Sequence, residues 1–426
     1  MLNRIDAPAV HHIEDINLIQ PEFVKFSNGL KVFIFRAESQ ELLKAEFVFN
    51  NVFEQNENPV RNSALSAMLK EGTNRFTSAQ IAENIDFYGA YLVPEFSFDH
   101  NALTLYTLNK HVSSVLPMVY DVLTDAIIPD RELQTYKRNN KQSLQISLEK
   151  SDFLARRMFY EQLFGESRYG LAVSEQLLDQ LNQEDLLSLY KKQIQPQNAT
   201  LFLSGNITDE LLNLFRDYFE KSWDNQETLT LSKFTPNKTY LDEVQWVSKP
   251  NALQSSIRIG RQSIQRHHPD YPALQFVNTL FGGYFGSRLM SNIREEKGYT
   301  YNIGSVVANL NHAGFISIGT EVGNQYTEDT LKQIEIEMNR LKQDLCSENE
   351  IELVKNYLLG GMLGSLESIF SHADKFKSVY FAGLNLGYYD YYTDVIKDIS
   401  ADQIQTIAQQ YYHFEEMLKI VVGNKI

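Results

Sequence analysis

Residues 280–301, LFGGYFGSRLMSNIREEKGYTY, carry the strongest structural signal in the chain. Three glycines within residues 282–286 allow positive φ angles or a close approach of the backbone to another segment. A short helical pattern follows, and Gly298 directly after the cation Lys297 is typical of a helix C-terminus. The residues from Tyr299 onward read as a strand. This order predicts a glycine-rich turn, a helix and a strand.

Arg294 and Tyr301 are the candidate binding residues of this stretch. Seven residues separate them, which predicts Arg294 on the helix and Tyr301 on the strand that follows. A helix–turn–strand unit can direct both side chains towards one space, where they would suit an oxyanion or a peptide carbonyl. Each residue also has a simpler interpretation. An arginine within Arg-Glu-Glu-Lys is typical of a solvated helix face, and a strand tyrosine is typical of packing.

The composition is that of an ordinary globular protein, with 43% hydrophobic and 22% charged residues. A chain of 426 residues exceeds what one hydrophobic core usually serves, which predicts two domains. The formal charge of −15 argues against nucleic acid as a partner, because phosphate binding needs a basic patch. The single cysteine, Cys346, excludes an intrachain disulfide and a cysteine-based zinc site.

Targeting and metal signals are both missing from the sequence. The N-terminal residues lack a basic segment followed by an apolar one, and no stretch approaches the ~20 apolar residues of a membrane span. We therefore expect a cytoplasmic protein without a membrane partner. Nine histidines are present, including the adjacent pairs His11–His12 and His267–His268, but none forms His-x-x-x-His with an acid between. The histidines therefore predict no metal site.

The two halves of the chain repeat one order of elements at an offset of about 210 residues. Each half reads as a helix, a glycine turn, a second helix ending at glycine, two strands and two long helices. A repeat of this length indicates a duplicated domain rather than a solenoid. We predict an N-terminal domain over residues 1–222, a polar linker over 223–243 and a C-terminal domain over 244–426.

The predicted fold class is α+β, with two homologous domains. Strands in pairs beside paired helices indicate, in each domain, a largely antiparallel sheet covered by helices on one face. Clear local signals in the first half are a hairpin at Asn28-Gly29, a buried strand over Ala199–Gly205 and a helix N-cap at Thr77 or Ser78.

The string from Ser287 to Tyr301 resembles the M16 peptidase family, which includes insulinase, pitrilysin and the mitochondrial processing peptidase. The similarity extends in order of elements over essentially the whole chain and implies a duplicated M16-like fold. It also implies that Arg294 and Tyr301 match the arginine and tyrosine with which the family's enzymes hold and polarise substrate near the zinc. Together with the flanking glycines, this favours the binding role of the two residues.

The first half departs from the family at its zinc signature. The family carries an inverted His-x-x-Glu-His on the first helix, and counting back from Glu71-Gly72-Thr73 aligns it with Ser63-Ala-Leu-Ser66-Ala67. Ser63, Ser66 and Ala67 thus stand in place of the two ligand histidines and the base glutamate. The third ligand, a glutamate, would fall within residues 142–144, where no acid is found. A catalytic zinc commonly needs three such donors, so we expect no metal and no cofactor in this chain.

The resemblance therefore implies a non-catalytic subunit of a heterodimeric M16 peptidase, without activity of its own. Zinc is expected only in a partner chain, and the substrate would be an extended peptide added to a sheet edge. Two other hypotheses stay open. In one, the chain is a purely structural subunit of an assembly, and Arg294 and Tyr301 are vestigial. In the other, it is a stand-alone peptide-binding protein that forms a homodimer when isolated.

Overall fold

One β-sheet in each half of the chain forms the frame of the fold. The computed structural model describes residues 13, 16–38, 41–53, 58–225, 227 and 243–425. The strands of the first sheet are β1 (Glu22–Lys25), β2 (Lys31–Arg36), β3 (Leu42–Asn50), β4 (Tyr91–Phe96), β5 (His100–Leu108) and β6 (Ala199–Gly205). Their order is β1-β2-β6-β3-β5-β4, with β2 and β6 parallel and the other neighbours antiparallel.

The second sheet repeats this arrangement, although among the described residues β1 has no counterpart in it. Its strands are β7 (Val244–Ser248), β8 (Gln254–Ser263), β9 (Ile303–Asn309), β10 (Gly314–Gly323) and β11 (Leu418–Gly423). The order is β7-β11-β8-β10-β9, and again one neighbouring pair, β7 with β11, is parallel. The predicted α+β class with two homologous halves is confirmed, although the sequence did not predict strand β7.

The helices follow the predicted order closely. Those of the first half are α1 (Arg61–Met68), α2 (Ser78–Phe87), α3 (Val112–Thr124), α4 (Asp130–Leu148), α5 (Ser151–Phe164), α6 (Glu175–Gln180), α7 (Gln183–Gln193) and α8 (Asp209–Phe219). Those of the second half are α9 (Tyr271–Asn278), α10 (Thr327–Gln343), α11 (Glu348–Gly364), α12 (Ile369–Tyr380), α13 (Gly387–Asp398) and α14 (Ala401–Tyr411). Helix α13 was not predicted. Two π-helical segments, Thr279–Gly283 and Met290–Glu296, follow α9.

Local sequence signals explain where several of these elements begin and end. Thr77 caps α2 through a capping box with Gln80, as the sequence predicted for Thr77 or Ser78. Gly89 after α2 and Gly298 after the second π-helix both have positive φ, of 59° and 67°. Glycine adopts this conformation at little cost, so both helices end at equivalent points of the repeat.

The second face of each sheet is covered by a helix from the other half, which corrects the expectation of a single covered face. Helix α5 of the first half packs Phe159 and Phe164 on the second sheet, where the Phe164 and Phe315 ring centroids lie 5.6 Å apart. A Cβ at Gly260 of β8 would lie 2.8 Å from Phe159 Cζ, so glycine permits this close approach. Strands β6 and β11 agree with this arrangement, because all of their residues are buried. A strand is buried along its whole length only when both faces of its sheet are covered.

Helix α12 makes the reciprocal contact on the first sheet. The ring of Phe376 lies 4.7 Å, between centroids, from that of Phe33 on β2. At the margin of this contact, Lys44 of β3 is buried and lies 2.8 Å from the carboxylate of Asp374. The two halves thus exchange one helix each, so neither sheet is complete without the other half.

The predicted linker lies mostly outside the described residues, as do His11 and His12. Trp223, at the start of the predicted linker, is buried in the first core against Phe47 and Phe219. The domain boundaries therefore stay a prediction. Within the described part of the chain, no helix is long and apolar enough to cross a membrane.

Candidate functional site

The structure brings Arg294 and Tyr301 together, but not on the elements expected. Arg294 lies on the second π-helix, and Tyr301 lies in the loop before β9 rather than on the strand. The Thr320 hydroxyl lies 2.9 Å from the Asn302 carbonyl and 2.9 Å from the Thr300 hydroxyl. These side-chain bonds replace the strand ladder over residues 300–302, which is why β9 begins only at Ile303.

The guanidinium of Arg294 lies between two aromatic rings. Its Cζ is 4.6 Å from the centroid of Phe285 and 5.0 Å from that of Tyr301. Both rings are well exposed, Phe285 at 60% and Tyr301 at 85%. Exposed apolar side chains that lie side by side, unlike single ones, can mark an interaction site. Sequence reasoning missed Phe285, although an aromatic residue between the glycines of residues 282–286 was a usable signal.

Arg294 is held by stacking rather than by charge. Among the described residues, no carboxylate lies within ion-pair distance of its guanidinium, and no side chain or carbonyl accepts a hydrogen bond from it. Cation–π stacking contributes roughly 0.5–1 kcal/mol at an exposed site and fixes the plane of the guanidinium. The N–H groups at its edge stay available for a planar acceptor such as a carboxylate or a peptide carbonyl.

The end of the π-helix fixes the direction in which the chain leaves towards Tyr301. The Lys297 amide donates to the Asn292 carbonyl at 3.1 Å, and the Tyr299 amide donates to the Ile293 carbonyl at 3.0 Å. Tyr299 then stacks on Tyr326 with 4.4 Å between centroids and donates its hydroxyl to Asp329 at 2.8 Å. Single-turn π-helices occur frequently at functional sites, where they place side chains that a regular helix would not.

Arg288 has a structural contact rather than a free guanidinium. Its Nε and one terminal nitrogen lie 2.7 and 2.9 Å from the two carboxylate oxygens of Glu350 on α11. This paired, largely buried contact ties the glycine-rich turn to α11. Arg288 is therefore paired with an acid, in contrast to Arg294.

A polar cavity of about 340 Å³ adjoins Tyr301. Arg258 of β8 lines it and forms an ion pair with Asp152 at the start of α5, so the cavity lies where the two halves meet. Glu321 also lines the cavity, and among the described residues no cation lies within ion-pair distance of its carboxylate. The cavity thus has an uncompensated negative charge beside the exposed ring of Tyr301.

The residues at the zinc-motif position form an ordinary helix contact. Ser63 on α1 donates its hydroxyl to the Val60 carbonyl at 2.9 Å, Ser66 is buried, and Ala67 is half-buried. Burial raises the pKa of Tyr136 on α4, and the Ser63 hydroxyl partly offsets this. No imidazole or carboxylate is available at these three positions, so these residues do not fit zinc.

Metal ligands elsewhere in the described part of the chain do not cluster either. Within this part, no group of three or more His, Cys, Asp or Glu side chains is arranged to hold a metal ion. Residues 142–144 lie on α4, with Leu144 buried in the core and its two neighbours exposed. A third ligand from this helix would therefore require both a new acid and a new orientation.

Comparison with known proteins shows which proteins this chain is similar to. A family model described as "Peptidase M16 inactive domain" matches residues 180–358, which include Arg294 and Tyr301. The uncharacterized zinc protease YmxG of Bacillus subtilis is 20% identical over 84% of this chain and 87% of its own length. A second protein of that organism, named "Probable inactive metalloprotease YmfF", is 24% identical over 55% of each chain.

Solved structures show the same fold. The crystal structure of a peptidase M16 inactive domain from Pseudomonas fluorescens superposes with a TM-score of 0.87 at 19% identity, covering 96% of this chain and 99% of the other. The periplasmic protease PqqL from Escherichia coli superposes with a TM-score of 0.80 at 15% identity, covering 99% of this chain and 48% of the other. At such identities the likeness concerns the fold alone.

Proposed function

We propose that this chain, which belongs to the M16 peptidase family, is a non-catalytic subunit that binds peptide for a zinc-bearing partner. The observation that carries the proposal is the half-buried Arg294, which lies between the exposed rings of Phe285 and Tyr301 without an ion-pair partner among the described residues. It lies on a chain whose zinc-motif positions are Ser63, Ser66 and Ala67. A ligand-binding pair without metal ligands suits a chain that contributes half of a shared site.

In this role Arg294 would donate N–H bonds to a carbonyl or carboxylate of an extended peptide. The Tyr301 hydroxyl would add a second donor, because the ring stacked on the guanidinium places both groups on one side of the loop. Donors aimed at a developing oxyanion are worth about 3 kcal/mol each in transition-state stabilisation. The hydrolytic step would belong to the partner chain, since the described residues offer no metal ligand set.

The cavity beside Tyr301 supports a preference for basic substrates. With Arg258 already paired to Asp152, the carboxylate of Glu321 stays available for a cationic side chain. The formal charge of −15 acts in the same direction, because it raises the local concentration of basic peptides. We propose a cytoplasmic pair of unlike chains acting on such peptides.

The test uses the chain mixed with a zinc-bearing relative from the same genome, one that keeps an intact His-x-x-Glu-His. Turnover of a quenched-fluorescent, unstructured basic peptide is expected to fall about 100-fold for Arg294→Ala, following the ~3 kcal/mol above. Tyr301→Phe keeps the stacked ring and removes only the hydroxyl, so it separates donation from packing. Arg131→Ala, an exposed arginine of α4, is the matched control and leaves turnover unchanged.

Two other outcomes would replace the proposal. Unchanged turnover for Arg294→Ala in an active pair would make the chain a structural subunit with a vestigial arginine. Peptide affinity of the isolated chain, equal with and without the partner in fluorescence anisotropy, would make it a stand-alone peptide-binding protein.

A further inference from the structure

A second cavity, which shares no lining residue with the cavity beside Tyr301, lies among four helices of the second half. It has a volume of about 550 Å³ and is bounded by α9, α11, α12 and α13. Leu358 and Met362 of α11 form an apolar side, and Tyr388 and Tyr392 of α13 add aromatic rings. Volumes of this order are typical of small-molecule sites, in which an apolar wall is combined with a few polar groups.

Two cations line this cavity without an acid to balance them. They are Arg266, which follows β8, and Lys375 of α12, and neither forms an ion pair with a described residue. Arg266 donates to the Ser378 carbonyl at 3.0 Å and to the Ser378 hydroxyl, while its Nε is buried without an acceptor. Burial lowers the pKa of Lys375, and the charge of Arg266 lowers it further.

Asp374 is the one acid among the described residues that line the cavity, and two lysines outside the lining balance its charge. Its Oδ1 lies 2.8 Å from Lys44 Nζ and 3.2 Å from Lys377 Nζ. The same two lysines hold the pKa of Asp374 below its usual value, although burial acts in the opposite direction. Asp374 therefore belongs to the contact between α12 and the first sheet and does not neutralise Arg266 or Lys375.

Tyrosine hydroxyls add further unused donors. Tyr389 donates its hydroxyl to the Lys375 carbonyl at 3.0 Å. No described residue forms a hydrogen bond with the hydroxyl of Tyr388 or Tyr392, and burial raises the pKa of Tyr392 to about 12. Both phenols are thus protonated donors at neutral pH. The cavity contains more donors and positive charge than its own acceptors can satisfy.

We propose that this cavity binds a small organic anion, a carboxylate or phosphate monoester carried on an aromatic or other apolar body. The anionic group would accept hydrogen bonds from Arg266, Lys375 and the phenols of Tyr388 and Tyr392, and would remove the repulsion between the two cations. Its apolar body would pack on Leu358 and Met362. The inference does not rest on the proposed peptide-binding function, since none of these residues belongs to the Arg294 site.

Isothermal titration calorimetry of the full chain with benzoate and phenyl phosphate tests the proposal. We expect both to bind, whereas benzamide, which has nearly the shape of benzoate but no charge, is expected not to. Lys375→Gln is expected to weaken binding of the anions at least about tenfold, because charge-assisted bonds are the strong ones. The control Lys332→Gln, at an exposed position of α10, leaves affinity unchanged.

Three results would overturn the proposal. They are no heat with either anion, equal affinity for benzoate and benzamide, and unaltered anion affinity in Lys375→Gln. A thermal melt of each variant checks that it is folded, and Arg266→Gln provides a second, independent loss of charge if Lys375→Gln unfolds.

Discussion

The two halves share one fold but keep different chemistry at equivalent places. In the first half, α2 starts with a capping box and ends at Gly89, and the α1 positions 63–67 carry only small or apolar side chains. In the second half, the counterpart of α2 is π-helical, follows a glycine-rich turn and holds the half-buried Arg294 between two exposed rings. The first copy thus has regular helix packing at these places, whereas the second has an irregular helix that carries an arginine without an ion-pair partner among the described residues.

The exchanged helices make each half part of the other's core. Each half covers the second face of the other's sheet, with Phe159 and Phe164 of α5 in one direction and Phe376 of α12 in the other. The first half therefore contributes to the stability of the second half, whatever chemistry it carries itself.

We expect the largest loss of stability from substitutions that remove either of the two helix–sheet contacts between the halves. Phe159→Ala and Phe376→Ala each remove a buried ring from one of the two contacts, and we expect each to lower the free energy of unfolding by about 3–5 kcal/mol. Urea denaturation, followed by tryptophan fluorescence and circular dichroism, measures the free energy of unfolding of both variants. Phe87→Ala, a phenylalanine of α2 that is 81% exposed, is the matched control and is expected to change little. A loss below about 1 kcal/mol for either buried residue would contradict the exchange as a source of stability.

The strand pair β3–β5 of the first sheet also differs from its counterpart in the second sheet, β8–β10, in its expected response to acid. His100, the first residue of β5, pairs with Asn50 at the end of β3, and the equivalent pair in the second sheet is Gly314 with Ser263. Burial lowers the pKa of His100 to about 4, and its ring lies 4.2 Å, between centroids, from Phe381 at the end of the exchanged helix. Protonation of His100 in the folded state is therefore unfavourable, whereas the equivalent position in the second sheet, Gly314, has no titratable group.

The sign of this effect follows from the direction of the shift. Because the folded pKa of about 4 lies below the unfolded value of 6.5, the unfolded chain binds the extra proton first as pH falls. We expect a loss of about 3 kcal/mol of stability between pH 6.5 and 4, and none from this residue above pH 7. Denaturation midpoints of the wild type and His100→Gln across this range measure it. Parallel pH profiles of the two proteins would show that His100 does not carry the effect.

Much of this architecture could be predicted from sequence, because helix caps, glycine stops and buried strands are local signals. Strand β7 could not be predicted, because it has only five residues and is held by parallel pairing with β11, which lies near the other end of the chain. Placing Tyr301 on a strand was wrong because the Thr320 hydroxyl, distant in sequence, takes the Asn302 carbonyl that the ladder would need. The covering of both faces of each sheet could not be predicted either, because it depends on contacts between residues that are distant in sequence.

The candidate site was predictable in part. The spacing of Arg294 and Tyr301, together with a family resemblance, placed them near each other, and their role stays a prediction. Phe285 was read only as a residue among glycines, because turn signals describe the backbone and not the direction of a side chain. The π-helix was equally hidden, since its period differs from the one that apolar patterns are read against.

The smallest expected effect concerns peptide binding and tests the difference between the two halves at the Arg294 site. Phe285→Leu keeps an apolar side chain but removes one of the two faces on which Arg294 stacks. If stacking fixes the guanidinium, the loss is about 1 kcal/mol, equal to roughly a fivefold weaker binding of an extended basic peptide by the assembled pair. Fluorescence anisotropy with a labelled peptide measures it, and Phe96→Leu, a similarly exposed residue of β4, is the control from the first half. Equal losses in both variants would mean that exposed aromatic surface in general, rather than the stacked arginine of the second half, holds the peptide.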